Sequence, residues 1–156
     1  MEPPLTTEGK DAWRRVIWTL RRADLAVQRA KEPGLRAVGV PQAHYALLMH
    51  VHAFPGYSGA EIGRGLGVTT QAVALLAAKL EAQGLLERRT HPRHRNVKEL
   101  HITAAGLEAL QAAETVITGL EQRVRDALGT ERSEQLRLLL ETVIQHLGAK
   151  APQGES

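Results

Sequence analysis

Thr69, Thr70 and Gln71 stand in one short run after Gly67, and a little further on Arg88, Arg89, Arg93, Arg95 and Lys98 crowd a stretch that also holds His91 and His94. Hydroxyl, amide and guanidinium groups at this density can hydrogen-bond phosphates and the edges of bases. Catalysis has little to draw on. Ser58, Ser133 and Ser156 are the only serines and there is no cysteine, so an activated nucleophile is not expected and no catalytic residue is assigned. Histidines could hold a metal, with His91 and His94, or His44, His50 and His52, as ligands. No carboxylate or thiol joins them at ligand spacing, and His50 and His52 leave a helix on different sides, so neither a metal nor a cofactor is expected.

The element that must position Thr69 to Gln71 is written in the run from Gly59 to Leu76. Ser58-x-x-Glu61 is a capping box that starts a helix. Gly67 supplies a positive φ where that helix ends, and small Gly63 permits a close crossing. Ile62, Leu66, Val68, Val73 and Leu76 fall where two helices crossing steeply interlock. The pattern is a helix-turn-helix, which lays its second helix in the DNA major groove. Gly63-x-Gly65-x-Gly67 also resembles part of a dinucleotide-binding loop, but such a loop follows a buried strand, and here the capping box stands in that place.

Two short strands are expected next, Leu85 to Thr90 and Val97 to Ile102, around the turn from His91 to Asn96, with Leu100 and Ile102 facing inward. This hairpin is a wing. Ahead of the helix-turn-helix, Trp13, Val16, Ile17, Leu20, Ala23 and Val27 recur at three- and four-residue spacing and predict one long helix that stops before Pro33-Gly34. Pro41 opens a helix with Tyr45, Leu48 and Met49, ended by Pro55-Gly56. Thr103 caps a helix striped by Leu107, Leu110, Ile117, Leu120, Val124 and Leu128, and Thr130 opens a last one with Leu136, Leu139, Leu140, Val143 and Leu147.

The fold expected is mainly α, a winged helix-turn-helix with long N- and C-terminal helices and a small two-stranded β wing. One domain spans 8–148, with its winged core about 41–103 and terminal helices about 8–31 and 104–148, and residues 149–156 form a small polar tail expected to be disordered. The 156 residues suffice for one core, which leucine, valine, isoleucine and alanine must fill because only 3% of the chain is aromatic. Without cysteine there is no disulfide framework, and without an apolar span or a signal-peptide core the expected location is cytoplasmic. The net charge of +3 is unevenly spread: residues 57–103 carry seven Lys and Arg against four Asp and Glu, whereas residues 104–156 carry five against eight. The terminal helices have more apolar stripe than a small winged domain can cover, so a second copy of the chain is the expected cover and a homodimer the expected state.

This order of elements, together with Leu80-x-x-x-Gly84-Leu85-Leu86-x-Arg88 and Leu100-x-Ile102-Thr103-x-x-Gly106, resembles the multiple-antibiotic-resistance regulator (MarR) family from Trp13 to Leu147. The resemblance implies a bacterial, dimeric, sequence-specific DNA-binding transcription regulator. It would bind pseudo-palindromic double-stranded operators, repress from them, and release them when a small, often aromatic, acid binds. Thr69, Thr70, Gln71 and Lys79 fit the polar groove-facing side of the family's recognition helix, while Ala74 and Leu75 stand where Thr and Arg are common. In the wing, His94-Arg95-Asn96 replaces the frequent Asp-x-Arg pair. Arg93 or Arg95 would lead the wing into the minor groove, with Lys98 and Arg64 on phosphates. The effector crevice implied between terminal helices and winged domain would draw on Trp13 and Trp18 as apolar walls, Arg14 or Arg15 as a carboxylate clamp, and His44 as a donor. A rival is a winged helix turned protein-interaction module, which the apolar Ala74-Leu75-x-x-Ala78 face would suit.

Overall fold

The computed structural model describes residues 9–148. The tail at 149–156 and the first residue of the expected domain lie outside them. In chain order the elements are α1 (Gly9–Trp13), α2 (Val16–Ala37), α3 (Gln42–Ala53), α4 (Gly59–Leu66), α5 (Thr70–Ala82), β1 (Leu86–Thr90), β2 (Lys98–Ile102), α6 (Ala104–Leu128) and α7 (Thr130–Leu147). The helix-turn-helix, wing and C-terminal helices stand as the sequence predicts.

The N-terminal helix does not. Residues Arg14 and Arg15 break it, with Arg15 extended at φ −62° and ψ 150°. The break lets the Trp13 ring meet Trp18 at 5.0 Å between centroids, a pairing that one continuous helix would set on different sides. The expected stop before Pro33-Gly34 is also overturned, because α2 runs through both residues to Ala37. Tertiary packing outweighs the lost proline N–H. Leu35 beyond the proline is fully buried, and Gly34 lies so close to α6 that a Cβ would stand 2.5 Å from Val116 Cγ1. Gln42 of α3 adds bonds from its Nε2 to the Gln28 carbonyl at 2.6 Å and to Glu32 Oε2 at 2.8 Å.

The core gathers Leu35, Leu47, Leu48, Val51, Ile62, Val73 and Leu80 from α2 to α5, closed by Leu86 and Leu100 of the wing base and Leu110 of α6. Ile62 and Val73 interlock as predicted, with Leu66 and Leu76 half-buried against them. Val68 departs from that expectation: it is 47% exposed, because its carbonyl rather than its side chain faces α4, 2.8 Å from where a Gly63 Cβ would lie. The strands pair antiparallel from Leu86 with Ile102 to Thr90 with Lys98, which puts Leu86, Leu100 and Ile102 on the inward face. Among the described residues no helix is long and apolar enough to cross a membrane.

Candidate nucleic-acid interface

The recognition helix is set by its caps. Ser58 Oγ accepts from Glu61 N while Ser58 N donates to Glu61 Oε2 at 2.6 Å, which fixes the start of α4. Gly67 ends it at φ +69°, and Thr69 Oγ1 accepts from Ala72 N at 3.0 Å to start α5. With Val73, Ala77 and Leu80 buried, helical geometry turns Thr70, Gln71, Ala74, Leu75 and Ala78 to solvent as one arc. The Thr70 and Gln71 N–H groups are among those a helix leaves without intrahelical partners, and they lie at its positive end. The hydroxyl oxygen of Thr69 is occupied as a cap, so its O–H is the group left to donate outward.

The wing stands beside this arc. Thr70 and Ala74 of α5 line a small hollow, about 70 Å3, together with Arg88 of β1 and Lys98 of β2. Lys98 Nζ donates to Thr90 Oγ1 at 2.8 Å, a neutral partner that leaves its charge uncompensated. Arg88 pairs with Glu81, and Arg89 pairs with Glu87. Arg93 and Arg95 on the wing loop and Arg64 at the end of α4 are exposed and form no ion pair among the described residues. The structure therefore separates the basic cluster into two arginines spent within the protein and two at the tip, beside Lys98. Lys79 is exposed but lies one turn beyond Leu75 on the side toward α3, where it lines an apolar hollow of about 550 Å3 with Leu47, Val68 and Leu75.

The residues expected to form an effector crevice are only partly brought together. Trp13 and Arg14 share a hollow of about 380 Å3 with Lys10 and Arg22, and the Arg22 guanidinium stands 5.4 Å over the Trp13 ring, where Arg14 or Arg15 was expected. Trp18 joins them by its ring contact. Arg15 holds the N-cap position of α2. His44 is apart from this group, 8% exposed within α3, and burial together with the Lys79 charge lowers its pKa, so it is a neutral imidazole near pH 7.

Sequence reasoning missed how the wing tip is built. His91 Nδ1 accepts from the backbone N–H groups of Arg93 and His94, both at 3.1 Å, and Glu99 lies behind the ring. A signal existed: a side-chain acceptor two residues ahead of a loop arginine is the arrangement by which Asx residues close turns.

Fold and interface together define a winged helix-turn-helix protein. Its segment 38–95 matches the model of the MarR family. Solved structures share nearly the whole architecture. The transcriptional repressor CouR bound to a 23-mer DNA duplex is 25% identical, with a TM-score of 0.77 over 88% of this chain and 97% of that one. CouR bound to p-coumaroyl-CoA is 24% identical, with a TM-score of 0.71 over 88% and 96%. A MarR-family protein of Mycobacterium tuberculosis in complex with DNA is 24% identical, with a TM-score of 0.68 over 83% and 97%. No curated protein matches the sequence.

Proposed function

We propose that this protein is a sequence-specific DNA-binding repressor that acts in the cytoplasm as a homodimer on a pseudo-palindromic operator. The observation that carries the proposal is the shared face of α5 and the wing, where Thr70 and Ala74 adjoin Lys98 and where Arg93 and Arg95 carry no ion pair among the described residues. Backbone and hydroxyl groups at the α5 N-terminus bind phosphate, Gln71 reads a base edge, and the wing arginines follow the minor groove. Arg64 and Lys98 hold flanking phosphates, and Lys79 lies at the margin of the footprint. Single-domain organisation over 8–148 places both dimer helices and reading head in one unit. The DNA-bound relatives support this use of the same fold.

Release of DNA by a small aromatic acid is the regulatory half of the proposal, supported by the acyl-CoA bound to CouR. The paired Trp13 and Trp18 rings with Arg14, Arg15 and Arg22 nearby supply an apolar wall and cationic groups, and His44 acts from α3. The deciding experiment is fluorescence anisotropy with a duplex taken from the DNA flanking the gene, titrated across salt. Replacing Arg93 and Arg95 together by Ala lowers the slope of log affinity against log salt by about 1 to 2 units, near one per lost phosphate-like contact. Affinity that does not fall with salt would overturn DNA binding and turn the Ala74–Leu75–Ala78 face into a protein-docking surface.

A further inference from the structure

We propose that His91 is a positioning residue for DNA binding: through its unprotonated Nδ1 it holds the wing tip in the form that aims Arg93 and Arg95. The proposal rests on the DNA-binding role of the wing. His91 is the first residue after β1, and its own N–H donates to the Val97 carbonyl at 3.0 Å, while Val97 N donates to the His94 carbonyl at 2.9 Å. Those backbone bonds close the two ends of the loop but leave its crown unsupported. The crown is held by the His91 ring, whose Nδ1 takes both the Arg93 and the His94 N–H at 3.1 Å. Pro92 between them has no N–H to offer and a restricted φ.

A nitrogen that accepts two N–H bonds carries no proton, so the ring proton sits on Nε2. Nε2 faces Glu99 Oε1 at 3.6 Å, and the other Glu99 oxygen bonds His101 Nε2 at 3.0 Å. Glu99 is itself placed by the β-bridge of its residue with Ser58 and by Gly56, where a Cβ would meet Oε2 at 3.5 Å. The chain from α4's leading turn through Glu99 to the His91 ring therefore fixes the tip relative to the recognition helix. The His94 ring stands against the His91 ring at 5.1 Å between centroids. Loss of the Nδ1 acceptor takes from both N–H groups the partner that holds them. The crown then opens and the two guanidinium groups lose their common direction.

Asparagine and glutamine separate this role from mere filling of space, because the Asn oxygen stands near where Nδ1 stands and the Gln amide reaches where Nε2 stands. His91→Asn, His91→Gln and Arg93→Ala/Arg95→Ala are compared with the parent by anisotropy on one duplex at pH 7.5. Amide hydrogen exchange of Arg93 and His94 is followed in the absence of DNA. At pH 7.5 His91→Asn keeps parental affinity and salt slope, whereas His91→Gln loses about tenfold, the scale of two lost neutral hydrogen bonds, and its slope moves toward that of the arginine double variant. Exchange at Arg93 and His94 quickens in His91→Gln and not in His91→Asn. Equal behaviour of the Asn and Gln variants, or a parental slope in His91→Gln, overturns the proposal. A parental slope in the arginine double variant overturns instead the wing's contact with DNA, and the exchange rates then still report whether His91 holds the crown.

Discussion

The Tyr45 hydroxyl in α3 donates a 2.7 Å hydrogen bond to Oε1 of Glu114 in α6, joining the helix that underlies the reading head to the long C-terminal helix. Burial first, and the Glu114 carboxylate next, push the Tyr45 pKa up. The neutral phenol is thus the form the fold selects, and α3 and α6 are coupled through it.

Tyr45→Phe removes the donor and leaves Glu114 without it in a half-buried site, which lowers stability by about 1.5 to 3 kcal/mol, the range for hydrogen bonds to charged groups. Because the folded pKa lies above the unfolded one, the contribution is complete below about pH 10 and is lost as pH rises further, when the unfolded chain ionises first. Urea unfolding at pH 7.5 and 10.5 checks both points. A parental alkaline decline in Tyr45→Phe would show that some other group carries it.

The opposite limb belongs to His50. Its ring packs where a Gly65 Cβ would otherwise stand, its buried Nε2 has no hydrogen-bond partner, and burial lowers its pKa. The unfolded chain therefore takes up a proton before the folded one does as pH falls below about 6.5, and stability declines from there through the lower folded pKa. His44 adds to the same limb, since burial and Lys79 lower its pKa too. His50→Leu flattens the acid limb in part and changes stability at pH 7.5 little, because no hydrogen bond is lost. Denaturation midpoints at pH 7.5 and 5 decide this, and an acid limb as steep as the parent's would acquit His50.

How much of this was legible in the sequence depends on whether a residue's role is local. Ser58, Gly67, Thr69 and Thr103 act within one turn of chain, and each performs the cap its type predicts. Pro33 misled because its local penalty is outweighed by Leu35 in the core and Gly34 against Val116, contacts made by a distant helix. His91 stands in the sequence as a neighbour of the basic cluster and a metal-ligand candidate, not as a loop acceptor, since the identity of its partners depends on the loop's path. For the effector residues, the spacing of Trp13 and Trp18 showed two aromatic groups but not the break at Arg15 that lets them touch.

Gly106 shows where a motif glycine has a contact reason. Thr103 Oγ1 accepts from Gly106 N at 3.0 Å and donates to the Gly84 carbonyl at 2.6 Å, so α6 starts hard against the end of the recognition helix. A Cβ on Gly106 would run into the Leu85 carbonyl and stand 2.8 Å from Ile102 Cγ1. Gly106→Ala must push the wing base away and is expected to cost about 1 to 3 kcal/mol as overpacking. Thermal unfolding measures it, and a variant as stable as the parent would mean that the wing base yields freely.

Leu75 is 70% exposed on the solvent-facing arc of α5, the arc proposed above to read DNA, and Ala74 stands beside it. An apolar side chain there can recognise the thymine methyl group rather than a hydrogen-bonding edge. Replacing the thymines of one half-site by uracil should weaken binding by about fourfold for each methyl removed from contact, the equivalent of about 0.8 kcal/mol of apolar burial. In Leu75→Ala the two duplexes should bind more nearly alike. If the parent protein does not distinguish thymine from uracil, Leu75 lies off the bases.

The apolar surface left open on the terminal helices requires a partner. Ile17 of α2 is 62% exposed, and Leu139 and Leu147 of α7 are 65% and 71% exposed, with Leu136 and Ile144 also open along the same helix. Scattered exposed leucines are ordinary, but a continuous stripe on a helix marks a contact surface. A two-fold dimer uses the same stripe on both copies and sets two recognition helices at a fixed separation, which a pseudo-palindromic operator needs. Sedimentation at micromolar concentration should therefore show two chains. Leu139→Glu with Leu147→Glu should yield a monomer that retains its helical circular dichroism, because neither residue belongs to the buried core. That monomer should lose more affinity for a duplex with two half-sites than for one with a single half-site, since it forfeits the gain from linked binding. A parent protein that sediments as one chain, or a double variant that stays dimeric, would place the subunit contact elsewhere or remove it.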